Sequence, residues 1–347
     1  MLSVASIVVF AVSLLPFASE KETYVSGTLD QKLWQEYRER FIKDGRVVDR
    51  HQDGISHSEG QGYAMLMAVA ADDRASFDQL WEWTRSVLQR KDDLFSWRYE
   101  ECPERDAGCV ADYNNASDGD VLIAWALLRA HRRWDESDYN RHARRITDAI
   151  AEHLLVSHQQ RLILLPGIEG FADEDTLTLN PSYWIFPALE AFSAEFDEPL
   201  WDDVIASGRW LLHQGRFGVH QLPPDWVVLE DGALRLSDKF PPRYSYNAVR
   251  IALHQAWSAH GISSVELIPY ESFWSQAPSP PAWIDLVDGG TAEFSWNTGM
   301  KAIAEFARLR AEPQAGEVVL PLPAKDEGYY SWSLTLLSHI AAGETLR

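Results

Sequence analysis

Apolar residues fall at helical spacing in stretch after stretch of this chain, and that regularity limits what it can fold into. The stretches lie near 30–43, 59–71, 75–90, 119–133, 137–154, 182–195, 198–213, 245–260, 264–276, 294–310 and 329–342. They are of similar length and alternate with loops, which predicts helical hairpins. Two architectures are built from such hairpins: an open solenoid and a closed ring of paired helices. A solenoid carries a repeat of fixed period. No such repeat is found, so a closed all-α domain is expected, close to a count of twelve helices. Loops rich in Gly, Pro, Asp and Trp are expected at 92–117 and 214–244, with short strands within 161–167 and 226–237. No linker divides residues 20–347, which read as one domain.

The net charge of −21 disfavours nucleic acid and anionic membranes as partners and leaves neutral or cationic ligands. Fifteen tryptophans exceed the needs of an ordinary core. Their flat apolar faces with a polar edge suit stacking on sugar rings. Residues 2–18 are apolar and uncharged, so 1–19 is expected to be a signal peptide. Its rival is an N-terminal anchor, although about 17 residues is the lower limit for a span. Export predicts a periplasmic or secreted protein, with no membrane association after signal removal. Cys102 and Cys109 can then form one disulfide across a short loop, or remain two unrelated thiols. No metal-ligand cluster surrounds them, and no cofactor is expected.

Chemistry is concentrated at helix starts. In "HSEGQGYAML", Ser58 fits an N-cap and Gln61 stands three residues on, as in a capping box. Glu59 then occupies the first turn between a serine and two glycines. Glycine in a helix costs about 1 kcal/mol relative to alanine, so Gly60 and Gly62 predict a close approach to the backbone. A second start, "NNASDGDVLIAWALL", places Asp118 and Asp120 at a helix N-terminus. A third is "NPSYWIFPAL" and a fourth "RYSYNAVRIAL". If these belong to the inner helices of a ring, one rim gathers Glu59, Asp118, Tyr183, Asn247 and Arg250. Taken singly, each acidic residue is equally well an ordinary partner of the helix dipole.

Together, "SEGQGYAMLMA", "LFSWRY", "NNASDGDVLIAWALL", "NPSYWIFPAL", "LPPDWV", "YSYNAVR" and "YYSWSLTLLS" resemble glycoside hydrolase family 8, in order, across most of 28–342. The resemblance leans toward bacterial endoglucanases linked to cellulose synthesis, including rhizobial ones. It implies an (α/α)6 barrel with small β elements in its loops and a long cleft across one end. It also implies hydrolysis of β-1,4-glucan with inversion, without metal or cofactor. Glu59 then corresponds to the general acid and Asp118 to a residue touching the sugar at the cleavage point. Trp97 and Tyr183 match sugar-contacting positions, and Arg250 matches an arginine near the reaction centre. Tyr246, Asp225 and Tyr330, carried by the same motifs, join the expected substrate-binding set.

One motif departs from the family. An inverting enzyme needs a second carboxylate to activate water, about 6.5–9.5 Å from the acid. Many members carry an aspartate where this chain has Asn247, and an asparagine takes no proton at neutral pH. The alternatives are a base elsewhere (Asp112, Asp118, Asp173, Glu174, Asp175 or Asp225), a water merely oriented by Asn247, or glucan binding without cleavage. A chitosanase or mixed-linkage β-glucanase is the rival substrate reading. A non-catalytic glucan-binding protein of a polysaccharide-secretion system is the rival function.

Overall fold

A computed structural model of the protein describes residues 29–102, 109–312 and 319–346. The expected signal segment, 1–19, lies outside the described residues. Eleven α-helices occur among them: α1 (Gln31–Phe41), α2 (Ser58–Ala70), α3 (Arg74–Trp83), α4 (Ser117–Trp134), α5 (Ser137–His153), α6 (Phe186–Phe196), α7 (Pro199–Gln214), α8 (Val249–Trp257), α9 (Ser264–Trp274), α10 (Thr298–Ala311) and α11 (Tyr329–Thr345). Helix α2 packs on α4, α4 on α6, α6 on α8, α8 on α10, α10 on α11, and α11 returns to α2. These six close an inner ring. Helices α1, α3, α5, α7 and α9 lie outside it, against α11, α2, α4, α6 and α10 respectively. A sixth outer helix does not occur among the described residues, and 319–328, leading into α11, are extended or turned.

Sequence and layer correspond. A helix that is apolar all round must be buried, while an outer helix needs only one apolar stripe. All nine residues of α8 are buried, as are Ser117 to Ala130 of α4. On the outer α5, burial is confined to Tyr139, Ala143, Ile146, Thr147, Ala149 and Ile150, one face at helical spacing. Eight of the fifteen tryptophans (34, 81, 125, 184, 201, 257, 274 and 332) are buried in the core. The large tryptophan count is therefore first a core feature and only secondarily a supply of exposed rings.

Gly62 and Gly119 let α2 and α4 meet, while Gly60 faces the side chains of Tyr329 and Val47. A Cβ on Gly62 would lie 2.5 Å from the Leu122 Cβ, and one on Gly119 would collide with the Ser58 side chain. The N-terminal turns of α2 and α4 thus meet almost backbone to backbone. The same crowding replaces the expected capping box. His57, not Ser58, occupies the cap position in extended conformation and makes no side-chain cap bond. Gln61 turns inward, accepting from Val47 N at 2.6 Å and donating to Thr84 Oγ1 at 2.8 Å. It satisfies the turn that precedes the helix instead of its own N-terminus.

The expected strands are present as Arg161–Leu164, Val227–Glu230 and Ala233–Leu236. The segment read as a loop at 92–117 also holds strands. Ser96–Glu100 pairs with both Ser56–His57 and Cys109–Asn115 in an antiparallel sheet. A disulfide joins Cys102 to Cys109, with Cα atoms 5.6 Å apart, and clips the end of that hairpin. Isolated two-stranded ribbons are marginal in water, and here the third strand and the disulfide hold this one in place.

Candidate active site

Twelve of the thirteen residues of α2 are buried, and the exception is Glu59. Its side chain is 17% exposed. One turn on, Tyr63 Oη donates to Glu59 Oε1 at 2.9 Å, the i,i+4 spacing that places two side chains on one helix face. The other partner of Glu59 comes from α8. Arg250 forms an ion pair with Glu59 through Nη1.

Arg250 is 3% exposed and gathers all four helix starts. Nη1 reaches Tyr63 Oη at 3.0 Å and Asp118 Oδ2 at 3.3 Å. Nη2 donates to Ser182 Oγ at 3.0 Å and to Asn247 Oδ1 at 2.7 Å. The guanidinium carbon lies 5.9 Å from the Tyr183 ring centroid. The structure therefore brings Glu59, Asp118, Tyr183, Asn247 and Arg250 together. Planar guanidinium suits this task because it presents five donors in fixed directions.

Asp118 is buried, accepts the Gly119 backbone N–H at 2.8 Å, and shares Arg250 Nη1 with Glu59. Burial pushes its carboxyl up to about 7, against the backbone hydrogen bonds. Asp120, two residues on, is likewise pushed up to about 7 by burial. Its oxygens are taken by Phe95 N at 2.8 Å and Asn115 Nδ2 at 2.7 Å, so it fastens both ends of the hairpin to α4.

The remaining expected residues fall into two groups. Asp225 lies under the Asn247 turn. Its oxygens accept Ser245 N at 3.1 Å, Ala248 N at 2.7 Å and Ser245 Oγ at 2.6 Å, and burial raises its pKa. It shapes the backbone that carries Asn247. Trp97, Asp112, Tyr246 and Tyr330 form the more open walls. Trp97 Nε1 donates to Asp112 Oδ2 at 2.8 Å, and this hydrogen bond holds the exposed Asp112 carboxyl below the usual carboxylate range. Tyr330 Oη donates to the Tyr246 carbonyl, and the two rings meet edge to face at 6.1 Å. Asp173, Glu174 and Asp175 are exposed on a separate loop, where Asp173 pairs with Lys239 at 3.2 Å.

Sequence reasoning passed over Tyr63 and Ser182, which complete the ring of partners around Glu59 and Arg250. The signal for Tyr63 was its position four residues after Glu59. Ser182 lay within a quoted motif but carries no charge or ring to single it out.

The family profile for glycosyl hydrolases family 8 matches residues 8–344. An endoglucanase of Cellulomonas uda is 39% identical over 310 residues, which covers 87% of this chain and 82% of that protein. A probable endoglucanase of Novacetimonas hansenii is 40% identical over 320 residues, 90% of each. Among solved structures, the endo-β-1,4-glucanase CMCax from Acetobacter xylinum superposes with a TM-score of 0.81 at 38% identity, covering 91% of this chain and 98% of that one.

Proposed function

The chain belongs to glycosyl hydrolase family 8 and is an endoglucanase, and on that premise we propose inverting cleavage of β-1,4-glucan with Glu59 as the proton donor. The observation that carries the reading is the arrangement around Arg250. One cation faces two carboxylates, and the only α2 side chain open to solvent is the one in acidic position. Burial pushes the Asp118 carboxyl up to about 7, against its backbone hydrogen bonds, so a group that holds a proton near neutrality stands at the same guanidinium as Glu59. A general acid must hold its proton near the working pH, and exclusion of water by a bound sugar would act on Glu59 in the direction that burial acts on Asp118. Trp97 and Tyr183 supply stacking faces for sugar rings, while Tyr246 and Tyr330 shape the wall beside the reacting bond.

The base is not Asn247, whose Oδ1 is held by Arg250 and whose amide nitrogen can only donate. Asp118 is buried, with its oxygens engaged by the Gly119 N–H and Arg250. Asp225 is buried under its three donors. The exposed carboxylates at 112 and 173–175 remain, and Asp112 is the one bonded to a proposed sugar platform.

We place this activity in the periplasm or outside the cell, linked functionally to cellulose synthesis. A disulfide such as Cys102–Cys109 persists in an oxidising compartment. Among the described residues, no helix is long and apolar enough to cross a membrane.

The test is reducing-end release from carboxymethyl cellulose, barley β-glucan and chitosan by the wild type and Glu59→Gln. Release from carboxymethyl cellulose that vanishes in the variant is expected. Release from chitosan alone overturns the glucan reading, and release from none overturns catalysis in favour of binding. NMR of the first-formed anomer tests inversion separately, since a retained configuration contradicts it.

A further inference from the structure

His57 stands two residues before Glu59, where the chain passes from a sheet strand into α2. It is half-buried, and its ring lies almost parallel to Trp97, with centroids 5.8 Å apart and planes 7° from parallel. Its Nδ1 hydrogen-bonds Tyr329 Oη at 3.2 Å. Tyr329 begins α11 and is buried in the inner ring. Backbone pairing holds the two strands together as well, with His57 opposite Arg98. Trp97 is thus tied at its indole N–H by Asp112 and supported along its ring by His57, which is itself anchored to the ring of helices. Burial lowers the His57 pKa, with Arg98 acting in the same sense and Asp49 against it. A neutral imidazole gives a flat, uncharged support.

We propose that His57 is a positioning residue for glucan binding: it fixes the Trp97 ring as a platform for a sugar residue and couples that platform to the helix carrying Glu59. The role needs a flat side chain of imidazole size. An aliphatic residue removes the flat support and leaves the Trp97 ring to the Asp112 bond and the Arg98 guanidinium, 5.7 Å from its centroid, and a charged one sits poorly between Trp97 and the buried Tyr329. The inference rests on the reading of Trp97 as a sugar platform, and the test separates the two.

The experiment is steady-state kinetics on a cellooligosaccharide for wild type, His57→Ala, His57→Phe, Trp97→Ala and the double variant His57→Ala/Trp97→Ala. Circular dichroism and thermal melts monitor the fold. Loss of one aromatic stacking contact predicts a KM about three- to tenfold higher for His57→Ala, with kcat changed less than about twofold. His57→Phe, which keeps a flat ring, recovers most of the affinity. In the double variant the second substitution adds almost nothing, because both act through one platform. An unchanged KM in His57→Ala, or additive effects in the double variant, overturns the inference while Trp97→Ala still raises KM. If Trp97→Ala leaves KM unchanged, the platform reading itself fails and the inference goes with it. Should His57→Ala fold poorly, His57→Leu takes its place, filling the space without a flat face: a raised KM that His57→Phe does not share upholds the flat-support role, and a wild-type KM overturns it.

Discussion

Glu59 and Asp118 sit at the starts of two inner helices that touch each other, whereas Trp97 and Asp112 sit on a hairpin outside the ring. In the first region the glycines at 62 and 119 remove side chains so that two N-terminal turns can meet. The carboxylates are then held by one buried guanidinium. In the second, the strands Ser96–Glu100 and Cys109–Asn115 are held by backbone pairing, a disulfide and a few side-chain contacts. The same sugar chain would contact both. The region proposed to donate the proton is built into the core around Arg250, so the loss of a side chain there should strike stability and catalysis together. A change in the gripping region should strike substrate affinity and little else.

The largest expected effect is Glu59→Gln. The amide keeps the shape and can still accept from Tyr63, so the fold should survive, while kcat falls about 10²–10⁴-fold with the loss of general-acid catalysis. Cleavage at the wild-type rate would remove Glu59 from the mechanism. Next is Arg250→Ala, which leaves Asp118 buried without its cation. Breaking a buried pair in this way costs about 3–5 kcal/mol, readable as a lower urea midpoint. Trp97→Ala is the control. If it destabilises the protein as much as Arg250→Ala does, the distinction between the two regions is broken.

A smaller effect is the pH dependence of stability. Burial holds Asp118 and Asp120 up to about 7, well above the ordinary carboxylate range near 4. The folded state therefore binds more protons than the unfolded chain between those values. Their contribution to stability is fully present below pH 4 and is lost as pH rises through about 7. A lone buried acid with this shift would account for at most about 4 kcal/mol. For Asp118 the Gly119 amide already opposes burial within that value. The lowered carboxylates, such as Asp72, Asp73 and Asp112, titrate below this window and do not mask it. Urea melts from pH 5 to 8 should show stability falling with pH, and Asp118→Asn should flatten the slope. An unchanged slope would mean that Asp118 is ionised throughout.

What was legible in the sequence follows the same division. Inner helices announce themselves because they are apolar all round, and of the two glycines after Glu59, Gly62 marks the close approach of α4, while Gly60 faces the side chains of Tyr329 and Val47. The motifs at 58–62, 117–120 and 246–250 led to one site because helix starts in a ring share a rim. Local rules failed where packing overrode them. Ser58 and Gln61 look like a capping box, yet Ser58 is pressed on Gly119 and Gln61 serves the backbone of another turn. The hairpin from 96 to 115 has half-buried strands without clean alternation, so it read as loop. Asp225 joins the expected substrate-binding set through the motif "LPPDWV", and what the sequence could not show is that its three donors lie in the Asn247 turn.

The smallest effect tests the opening between the two regions. Tyr330 Oη donates to the carbonyl of Tyr246, the residue immediately before Asn247. Tyr246 is 39% exposed; this bond ties its backbone, while its ring meets that of Tyr330 edge to face. Tyr330→Phe removes the donor and keeps the ring, and the carbonyl left behind can take a water. A single hydrogen bond of this kind is worth about 0.5–1.5 kcal/mol. Because Tyr330 lies in the first turn of α11, the melt reports whether the core has felt the change. If Tyr246 belongs with the gripping walls, KM should rise by about two- to tenfold while kcat and the melt stay close to wild type. If kcat falls by the same factor instead, the hydroxyl holds Asn247 and Arg250 in register through the backbone. Tyr330 would then belong to the proton-donating side, and the boundary between the two regions would pass outside it.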